Sequence, residues 1–300
     1  MKAFKFLALF TLSLLSYVLP AAAQVATLQS TIEEFIASKD AVVAVAVAGN
    51  AGKDHVFIQA DKQLPMQSVF KFHIAIAMLR EVDRGKFKLA QPITIGKELL
   101  LPDTWSPLRD KYPTGVTLPL SEIITFMVAQ SDNIACDLLL KLLGGPAVVD
   151  AFFKAQGVND LSIKINEETM QSDWEQQFKN WTTARSCNVV LEKYFYNKNK
   201  ELSATSHAFL WTVMKSTETG AKRLKGDLPT DVTVAHKTGY SGIKNGIAEA
   251  VHDIGIIFPT NGEPIFISVL ISHSKESLIN NEAIIAHIAK LCYDYFEKNN

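Results

Sequence analysis

Three short polar motifs carry the residue types that an acyl-transfer site needs. They are Ser68-Val69-Phe70-Lys71, Ser131-Asp132-Asn133 and Lys237-Thr238-Gly239. Together they supply a hydroxyl nucleophile, an amine that can take its proton, a second hydroxyl that can relay a proton, and a cation for an anionic substrate. The S-x-x-K pattern alone is weak evidence, since it recurs at Ser241 and Ser272. All three motifs in this order are much rarer, and they predict a serine acyl-transfer site.

Ser68 is predicted to open a buried helix. The segment from Ser68 to Arg84 is apolar on nearly all sides, which is typical of an enclosed helix, and Gly85 follows as a stop. At this position the Ser68 N–H is an unpaired donor of the helix N-terminus, where negative charge is favoured. Lys71 lies one turn further on the same face, so it needs a polar partner or a lowered pKa. The simpler alternative is a helix cap followed by a surface lysine.

The other two motifs also have simpler interpretations. Ser131–Asn133 separates two apolar runs, and Asp132 could serve only as the N-cap of the second helix. Lys237 follows the strand-like segment 232–236 and could be a surface lysine at a strand end. If the motifs are functional, Lys237 binds a carboxylate and Gly239 lets a substrate approach the backbone. Three independent coincidences in one order are improbable, so we favour the functional interpretation.

The N-terminus and the composition indicate an exported protein that does not bind nucleic acid. Residues 1–23 combine a short basic start, an apolar run and an Ala-Ala-Ala cleavage site, as secretory signals do. No later stretch is long enough to span a membrane. Losing two lysines with the signal takes the net charge from −1 to about −3, and basic residues are not clustered. Three scattered cysteines fit neither a disulfide framework nor a zinc site, so we predict no cofactor and no metal.

Strand-like segments near both ends of the chain enclose a helical middle. Helical patterns cover 27–39, 68–84, about 120–160, 183–218 and 278–297, with a break at Gly144-Gly145-Pro146. Strand patterns cover 41–48, its antiparallel partner 55–60, 232–236, 250–258 and 264–272. We therefore predict an antiparallel β-sheet flanked by helices. Residues 24–66 and 219–300 would form an α/β domain and 67–218 an inserted all-α domain, with the active site between them.

The motifs and their spacing resemble those of the serine penicillin-recognising enzymes, and most closely the class A β-lactamases. Segments 101–111 and 219–226 are similar to the extended-spectrum branch that contains the PER, VEB and CfxA enzymes. The resemblance covers nearly the whole mature chain and implies a β-lactamase/transpeptidase-like fold in a periplasmic monomer. It also implies hydrolysis of the β-lactam amide bond through a serine acyl-enzyme, with cephalosporins among the substrates and antibiotic resistance as the result.

Individual roles follow from the same resemblance. Ser68 would be the nucleophile, Lys71 a base and Ser131 the proton shuttle to the lactam nitrogen. The backbone N–H groups of Ser68 and Tyr240 would form the oxyanion hole. The residues implied in substrate binding are Trp105 as a cleft wall, Asn133 for the side-chain amide, Arg223, Lys237 and Thr238 for the carboxylate, and Gln171, Gly239 and Ser241 beside them.

The glutamate that would activate the deacylating water lies in the segment 167–171. The family pattern E-x-x-x-N favours Glu167, with Gln171 replacing the asparagine, and Glu168 is the alternative. Family members often close this loop with an Arg–Asp salt bridge, but the matching residues here are Ile165 and Asn180. We therefore predict a loop held by other contacts, such as packing of Trp174, Phe178 or Trp181, and an open cleft that admits oxyimino-cephalosporins.

Two rival functions share the three motifs. A D-alanyl-D-alanine peptidase lacks the deacylating carboxylate, so Glu167 argues against it. A β-lactam-sensing receptor domain needs a membrane span for signalling, and no such span follows the signal segment. Both rivals would hold a β-lactam as a long-lived adduct, whereas a β-lactamase turns it over.

Overall fold

Strands from both ends of the chain form one five-stranded antiparallel sheet in a computed structural model, which describes residues 21–260 and 262–299. The predicted signal at 1–23 lies almost entirely outside the described residues. The strands are β1 (Val42–Gly49), β2 (Asp54–Ile58), β3 (Leu64–Pro65), β4 (Pro92–Ile95), β5 (Val116–Pro119), β6 (Leu161–Ser162), β7 (Trp181–Thr182), β8 (Thr233–Tyr240), β9 (Val251–Phe258) and β10 (Ile265–Ser272). The order in the main sheet is β2-β1-β10-β9-β8.

Helices cover both faces of this sheet. They are α1 (Ala21–Ile36), α2 (Phe70–Asp83), α3 (Pro107–Lys111), α4 (Leu120–Ala129), α5 (Asn133–Leu143), α6 (Pro146–Ala155), α7 (Glu167–Ser172), α8 (Ala184–Tyr196), α9 (Ala204–Lys215) and α10 (Leu278–Asn299). The helices α1 and α10 pack on one face, and the helices between α2 and α9 lie on the other. The predicted fold class, an antiparallel sheet flanked by helices with a helical insertion, is confirmed.

The sequence of β1 explains why the sheet is buried on both sides. Its alternate residues Val43, Val45 and Val47 join the apolar core shared with α1 and α10. The intervening alanines face the core of the central helices instead. Because side chains alternate between the two faces of a strand, this valine–alanine alternation gives one strand two apolar faces. Small side chains on the second face let the helices approach the sheet closely.

The middle of the chain is mainly helical, as predicted, but its helices are interrupted at positions that the sequence pattern did not predict. The segment 120–160 is interrupted at 130–132 as well as at the predicted Gly144-Gly145, and 183–218 is interrupted after α8. Two of these breaks contain a non-glycine residue with left-handed backbone, Ser131 (φ 59°) and Asn197 (φ 47°). The two-stranded sheet β4–β5 and the three-stranded sheet β3–β7–β6 were not predicted either. The division into the two domains stays a prediction.

Helix α2 is the central element, because its first ten residues are all buried. It starts at Phe70, two residues later than predicted, and a 3₁₀ turn over Gln67–Val69 precedes it. Ser68 therefore lies in the turn that leads into the helix. Over the described ranges, no helix has the length and apolarity needed to cross a membrane.

Candidate active site

The predicted site residues meet in one cleft of about 690 Å³ between the main sheet and the central helices. The predicted residues that line it are Ser68, Trp105, Ser131, Asn133, Glu167, Gln171, Arg223, Thr238, Gly239, Tyr240 and Ser241. Lys71 and Lys237 are fully buried behind this surface. The structure therefore brings the three sequence motifs together, although they lie far apart along the chain.

Lys71 connects the nucleophile to its surroundings. Its Nζ donates to Ser68 Oγ (2.7 Å), to Asn133 Oδ1 (2.6 Å) and to the backbone oxygen of Ser131 (3.1 Å). A fully buried ammonium is tolerated only when its donors are satisfied, and here they have partners. The polar partners expected for this lysine are present in the structure.

Glu167 is the carboxylate that reaches the nucleophile. Its Oε1 lies 2.5 Å from Lys71 Nζ and accepts a longer hydrogen bond from Ser68 Oγ (3.4 Å). The Glu167 side chain is buried, whereas its neighbour Glu168 is exposed. The geometry thus favours Glu167 over Glu168 as the base.

Asp137 fixes the position of Glu167, and the sequence motifs do not include it. Its carboxylate accepts from the backbone N–H groups of Glu167 (2.7 Å) and Glu168 (2.9 Å) and from Asn166 Nδ2 (2.9 Å). Burial raises the pKa of Asp137 to about 6, against the opposing effect of these backbone donors. Its place one turn after Asn133 on α5 was the available signal, because that spacing puts both side chains on one helix face.

Ser131 lies between the two buried lysines. Its hydroxyl oxygen accepts from Lys237 Nζ (2.9 Å), while its backbone oxygen accepts from Lys71. Burial, and secondly the charge of Lys71, hold the pKa of Lys237 well below its usual value. The hydroxyl is therefore connected to a buried amine that loses its proton more readily than a surface lysine does.

Asp132 is the N-cap of α5, as the simpler interpretation of this motif proposed. Its carboxylate accepts from Ala135 N (2.8 Å), and also from Ser106 Oγ (2.7 Å) and Leu108 N (2.8 Å). The last two contacts tie the start of α3 to the motif. This places Trp105 at the rim of the cleft, where the residue is 60 % exposed and its Nε1 donates to the Gln130 backbone oxygen. Asp132 thus has both a local and a site-building role.

The Asn133 side chain makes two hydrogen bonds within the protein, which its predicted role in substrate binding does not require. Its Oδ1 accepts from Lys71 and its Nδ2 donates to Thr104 Oγ1 (3.0 Å). An amide nitrogen carries two hydrogens, so one N–H remains for a substrate side-chain amide. Thr104 was not among the predicted site residues, and it orients this amide by accepting its other hydrogen.

Arg223 lies on the opposite side of the cleft, buried against the sheet. Its guanidinium donates to the backbone oxygens of Gly239 (3.0 Å) and His252 (2.9 Å) and to Glu282 (3.3 Å). Nearby, Thr238 Oγ1 is 2.7 Å from Thr219 Oγ1. Both residues line the cleft, as their predicted role in carboxylate binding requires.

Gly239 has a packing reason for its small size in addition to the predicted one. A Cβ atom there would lie 3.0 Å from the backbone oxygen of Met66 and 3.2 Å from Val69 Cγ2. The missing side chain therefore lets the turn that carries Ser68 pack against β8. Gly239 also lines the cleft, and its role in making room for a substrate stays a prediction.

The backbone of Tyr240 faces the cleft. β8 is an edge strand of the main sheet, and Ser241 N, just after β8, donates inward to the oxygen of Ala250, just before β9 (3.0 Å). Backbone donors alternate in direction along an antiparallel strand, so the N–H of Tyr240 points to the open edge. The hydroxyl of Ser241, by contrast, bonds to backbone groups of its own turn, including the N–H of Glu249 (3.0 Å). Ser241 therefore lines the cleft with a hydroxyl that is already paired.

The loop that carries Glu167 is closed by an amide in place of an ion pair. Asn180 Oδ1 accepts from the backbone N–H groups of Lys164 (2.7 Å) and Ile165 (3.0 Å), and its Nδ2 donates to the Ile165 oxygen (2.8 Å). The prediction of no salt bridge between residues 165 and 180 is correct. The loop is held by other contacts, as expected: one buried amide ties its two ends through three hydrogen bonds. Phe178 is exposed, and packing of Trp174 or Trp181 stays a prediction.

Comparison with known proteins places this site in a family. The family model described as "Beta-lactamase enzyme family" matches residues 27–296. Beta-lactamase VEB-1 of Pseudomonas aeruginosa is 45 % identical over 296 residues, which cover 99 % of both chains. Extended-spectrum beta-lactamase PER-1 of the same organism is 39 % identical, covering 91 % of this chain and 88 % of its own. A crystal structure of a beta-lactamase from Chitinophaga pinensis superposes with a TM-score of 0.87 at 41 % identity, covering 89 % of this chain and 98 % of its own.

The chain belongs to the β-lactamase enzyme family, and its fold is that of the class A enzymes. The predicted resemblance to class A β-lactamases and to the VEB and PER branch is confirmed. Class A β-lactamases are serine hydrolases, and this is the class of enzyme to which the cleft at Ser68 belongs.

The raised pKa of Asp137 leads to a pH-dependent stability. Because its folded-state pKa of about 6 exceeds the ordinary value of 3.8, the neutral acid stabilises the fold below about pH 4, and this contribution is lost as the pH rises through 6. We expect wild type to lose up to about 3 kcal/mol of unfolding free energy relative to Asp137→Asn between pH 4 and pH 8. Urea denaturation of both proteins measures this difference. A difference that does not change with pH would contradict the assignment.

The Asn180 amide should be important for the loop. Asn180→Ala leaves two N–H groups and one carbonyl without their partner, at a cost of about 2 kcal/mol or more. Asn180→Asp is the matched control, because a carboxylate still accepts from Lys164 and Ile165, while its other oxygen faces the Ile165 oxygen without a hydrogen bond. We expect the alanine variant to be the less stable of the two in thermal unfolding, and equal melting temperatures would contradict the role of the acceptor oxygen.

Proposed function

We propose that this chain is an exported class A serine β-lactamase in which Ser68 is acylated by the β-lactam and then released by water. The observation that carries the proposal is the contact of three groups in one buried site, Ser68 Oγ, Lys71 Nζ and Glu167 Oε1. A nucleophile, an amine and a carboxylate in mutual contact can remove and return a proton in both halves of the reaction.

Acylation begins with the loss of the Ser68 proton. The proton leaves towards Glu167, with the Lys71 amine, which contacts both residues, as the relay. The Ser68 oxygen then attacks the lactam carbonyl. The developing oxyanion is stabilised by the N–H groups of Ser68, at the start of the turn into α2, and of Tyr240, on the open edge of β8.

Opening of the ring requires a proton on the lactam nitrogen. Ser131 gives its hydroxyl proton to that nitrogen and is resupplied by Lys237, whose Nζ already donates to it. The lowered pKa of Lys237 assists this donation, because a buried ammonium beside Lys71 is destabilised. Arg223 and Thr238 hold the substrate carboxylate on the same side, and Asn133 uses its remaining N–H for the acyl side chain.

Deacylation is the step that distinguishes a β-lactamase from the two rival functions. Before this step, the proton that Glu167 received from Ser68 passes back through Lys71 to Ser131 and Lys237, which have given one to the lactam nitrogen, so Glu167 is again a carboxylate. Glu167 then takes a proton from a water as the water oxygen attacks the acyl ester, and it returns that proton through Lys71 to the leaving Ser68 oxygen. A peptidase or a receptor domain would lack a carboxylate in this position. The buried Glu167 anchored by Asp137 therefore supports turnover over trapping.

Export to the periplasm and a monomeric state complete the proposal. Export rests on the signal-like segment 1–23 and on the site itself, because β-lactams meet their targets outside the cytoplasm. Neither the localisation nor the oligomeric state is needed for the chemistry at Ser68. No step of the reaction requires a metal ion or a cofactor.

Covalent labelling tests the nucleophile. A slowly released β-lactam should add one ligand mass to the peptide that contains Ser68, while Ser68→Ala should lose at least about three orders of magnitude in kcat. Nitrocefin turnover by wild type should survive EDTA. An adduct on Ser241 or Ser272, or restoration of activity by zinc after chelation, would contradict the serine mechanism proposed here.

Removal of the deacylating base should separate the two halves of the reaction. Glu167→Ala should release about one product per enzyme in a burst and then stall, because water activation is lost while attack by Ser68 remains possible. Glu168→Ala is the matched control and should turn over as wild type does. Stalling in the Glu168 variant alone would move the role to that residue.

The cleft is proposed to accept oxyimino-cephalosporins. Its edge beside β8 is open at Gly242, where a Cβ would meet no atom within 4 Å, and a relative such as PER-1 is described as extended-spectrum. We expect kcat/KM for ceftazidime or cefotaxime to lie within about a thousandfold of that for benzylpenicillin, which is about 4 kcal/mol of discrimination. A larger gap would refute the open cleft and leave the β-lactamase assignment intact.

A further inference from the structure

Two fully buried side chains next to the cleft have no part in the chemistry described so far. His236 directly precedes Lys237 on β8, and Asp253 lies opposite Thr238 on β9. Neighbouring residues of a strand point to opposite faces, so His236 and Asp253 lie on the face of the sheet away from Lys237. The imidazole Nδ1 is 2.9 Å from each oxygen of the Asp253 carboxylate.

The hydrogen bonds of this pair define its protonation. Asp253 accepts from His236 and also from the backbone N–H of Leu224 (3.2 Å), so it acts as an acceptor only, as a carboxylate does. His236 Nε2 is buried and has no hydrogen-bond partner among the described residues. A protonated ring would bury an unpaired N–H there, which costs more than an unpaired acceptor nitrogen within a neutral ring. His236 is therefore the neutral tautomer that donates from Nδ1.

The backbone makes room for this pair. Gly255 faces His236 across the two strands, and a Cβ atom at Gly255 would lie 2.7 Å from the His236 Cβ and would collide with the Ala235 oxygen. Thr217 Oγ1 donates to the His236 backbone oxygen (2.6 Å), which attaches the segment after α9 to the same residue. The surrounding backbone therefore leaves space for the His236–Asp253 pair and is attached to it.

Asp253 connects this pair to Arg223. The Leu224 N–H that it accepts belongs to the residue directly after Arg223. The Arg223 guanidinium in turn donates to the backbone oxygen of His252, the residue directly before Asp253. Two adjacent residues of one segment are thus bonded to two adjacent residues of β9, and Asp253 provides the only charged side chain of β9 in this arrangement.

We propose that His236 and Asp253 form a positioning pair for the carboxylate-binding side of the cleft. Asp253 holds the Leu224 N–H and so fixes the Arg223 guanidinium, and His236 holds the Asp253 carboxylate in place. This inference rests on the proposed function, in which Arg223 binds the substrate carboxylate. Neither residue touches the substrate, because both are fully buried on the outer face of the sheet.

A carboxylate suits this position better than an amide does. Both groups that face Asp253, the His236 Nδ1–H and the Leu224 N–H, are donors. In Asp253→Asn only one oxygen remains, and the new NH₂ group is directed at a donor. The Leu224 segment should then shift, and Arg223 with it, while Lys71 and Glu167 on the other side of β8 keep their contacts.

Steady-state kinetics with two substrates test the proposal. For benzylpenicillin, Asp253→Asn should raise KM about tenfold with kcat changed less than about threefold, as expected for one charge-assisted hydrogen bond. For the methyl ester of benzylpenicillin, which lacks the carboxylate, KM should not change between wild type and variant. A double variant with Arg223→Gln should be no worse than Arg223→Gln alone, since both changes remove the same anchor.

Three further variants keep the test decisive if Asp253→Asn folds poorly. His236→Asn keeps a donor near the position of Nδ1 and should restore the KM that His236→Ala raises. Asp83→Asn removes a carboxylate that accepts from Ser203 and Ser206 far from the cleft. It should lower stability without raising KM for benzylpenicillin relative to KM for its methyl ester.

The results separate this inference from the proposed function. Equal effects of Asp253→Asn on acid and ester, or additive effects with Arg223→Gln, would overturn the positioning role while wild-type turnover at Ser68 stands. A wild type that forms a stable adduct without turnover would overturn the proposed function instead. In that case the acid and the ester would be compared by their rates of acylation.

Discussion

The site depends on keeping one buried ammonium satisfied. Lys71 is fully buried, and its Nζ is in contact with the nucleophile, with Glu167, with the Asn133 side chain and with the Ser131 backbone. An ammonium group in an apolar helix is costly unless such partners are present, so the fold must bring α7, α5 and the 130–132 break to the start of α2. The same contacts that satisfy the charge place the catalytic groups within reach of one another.

Groups of both charge signs lie close to Lys71. Lys237 and Lys71 are both buried and destabilise each other, while Ser131 lies between them as a common acceptor. Glu167 offsets this positive charge, and its own position depends on the partly buried Asp137, whose pKa is raised. Lys237 and Asp137 therefore both have pKa values displaced from their usual ranges, mainly by burial, as is common for groups at functional sites.

The sequence was most informative where the chemistry lies within consecutive residues. Ser68, Lys71, Ser131 and Lys237 could be located because each belongs to a short motif, and the apolar character of α2 placed the first two at a buried helix start. The strands β1, β2, β9 and β10 were likewise predictable from β-branched residues between turns.

Residues that act on backbone groups were not predictable in the same way. Asp137 accepts from the N–H groups of a loop about thirty residues away, and Asn180 closes that loop by bonding to the main chain. Backbone donors are the same in every residue, so the sequence does not record which of them a side chain will reach. Gly239 was predicted as a site residue, but the atom that requires its small size, the Met66 oxygen, is known only from the fold.

The position of β8 at the edge of the sheet has a consequence for self-association. An exposed edge strand offers unpaired backbone groups to which a strand of another molecule can add. Here the turn before α2 lies against Gly239, and the remaining open stretch at Tyr240 faces the cleft instead of a flat surface. The shape that leaves a backbone donor free for the oxyanion therefore also shields this edge from sheet extension between molecules.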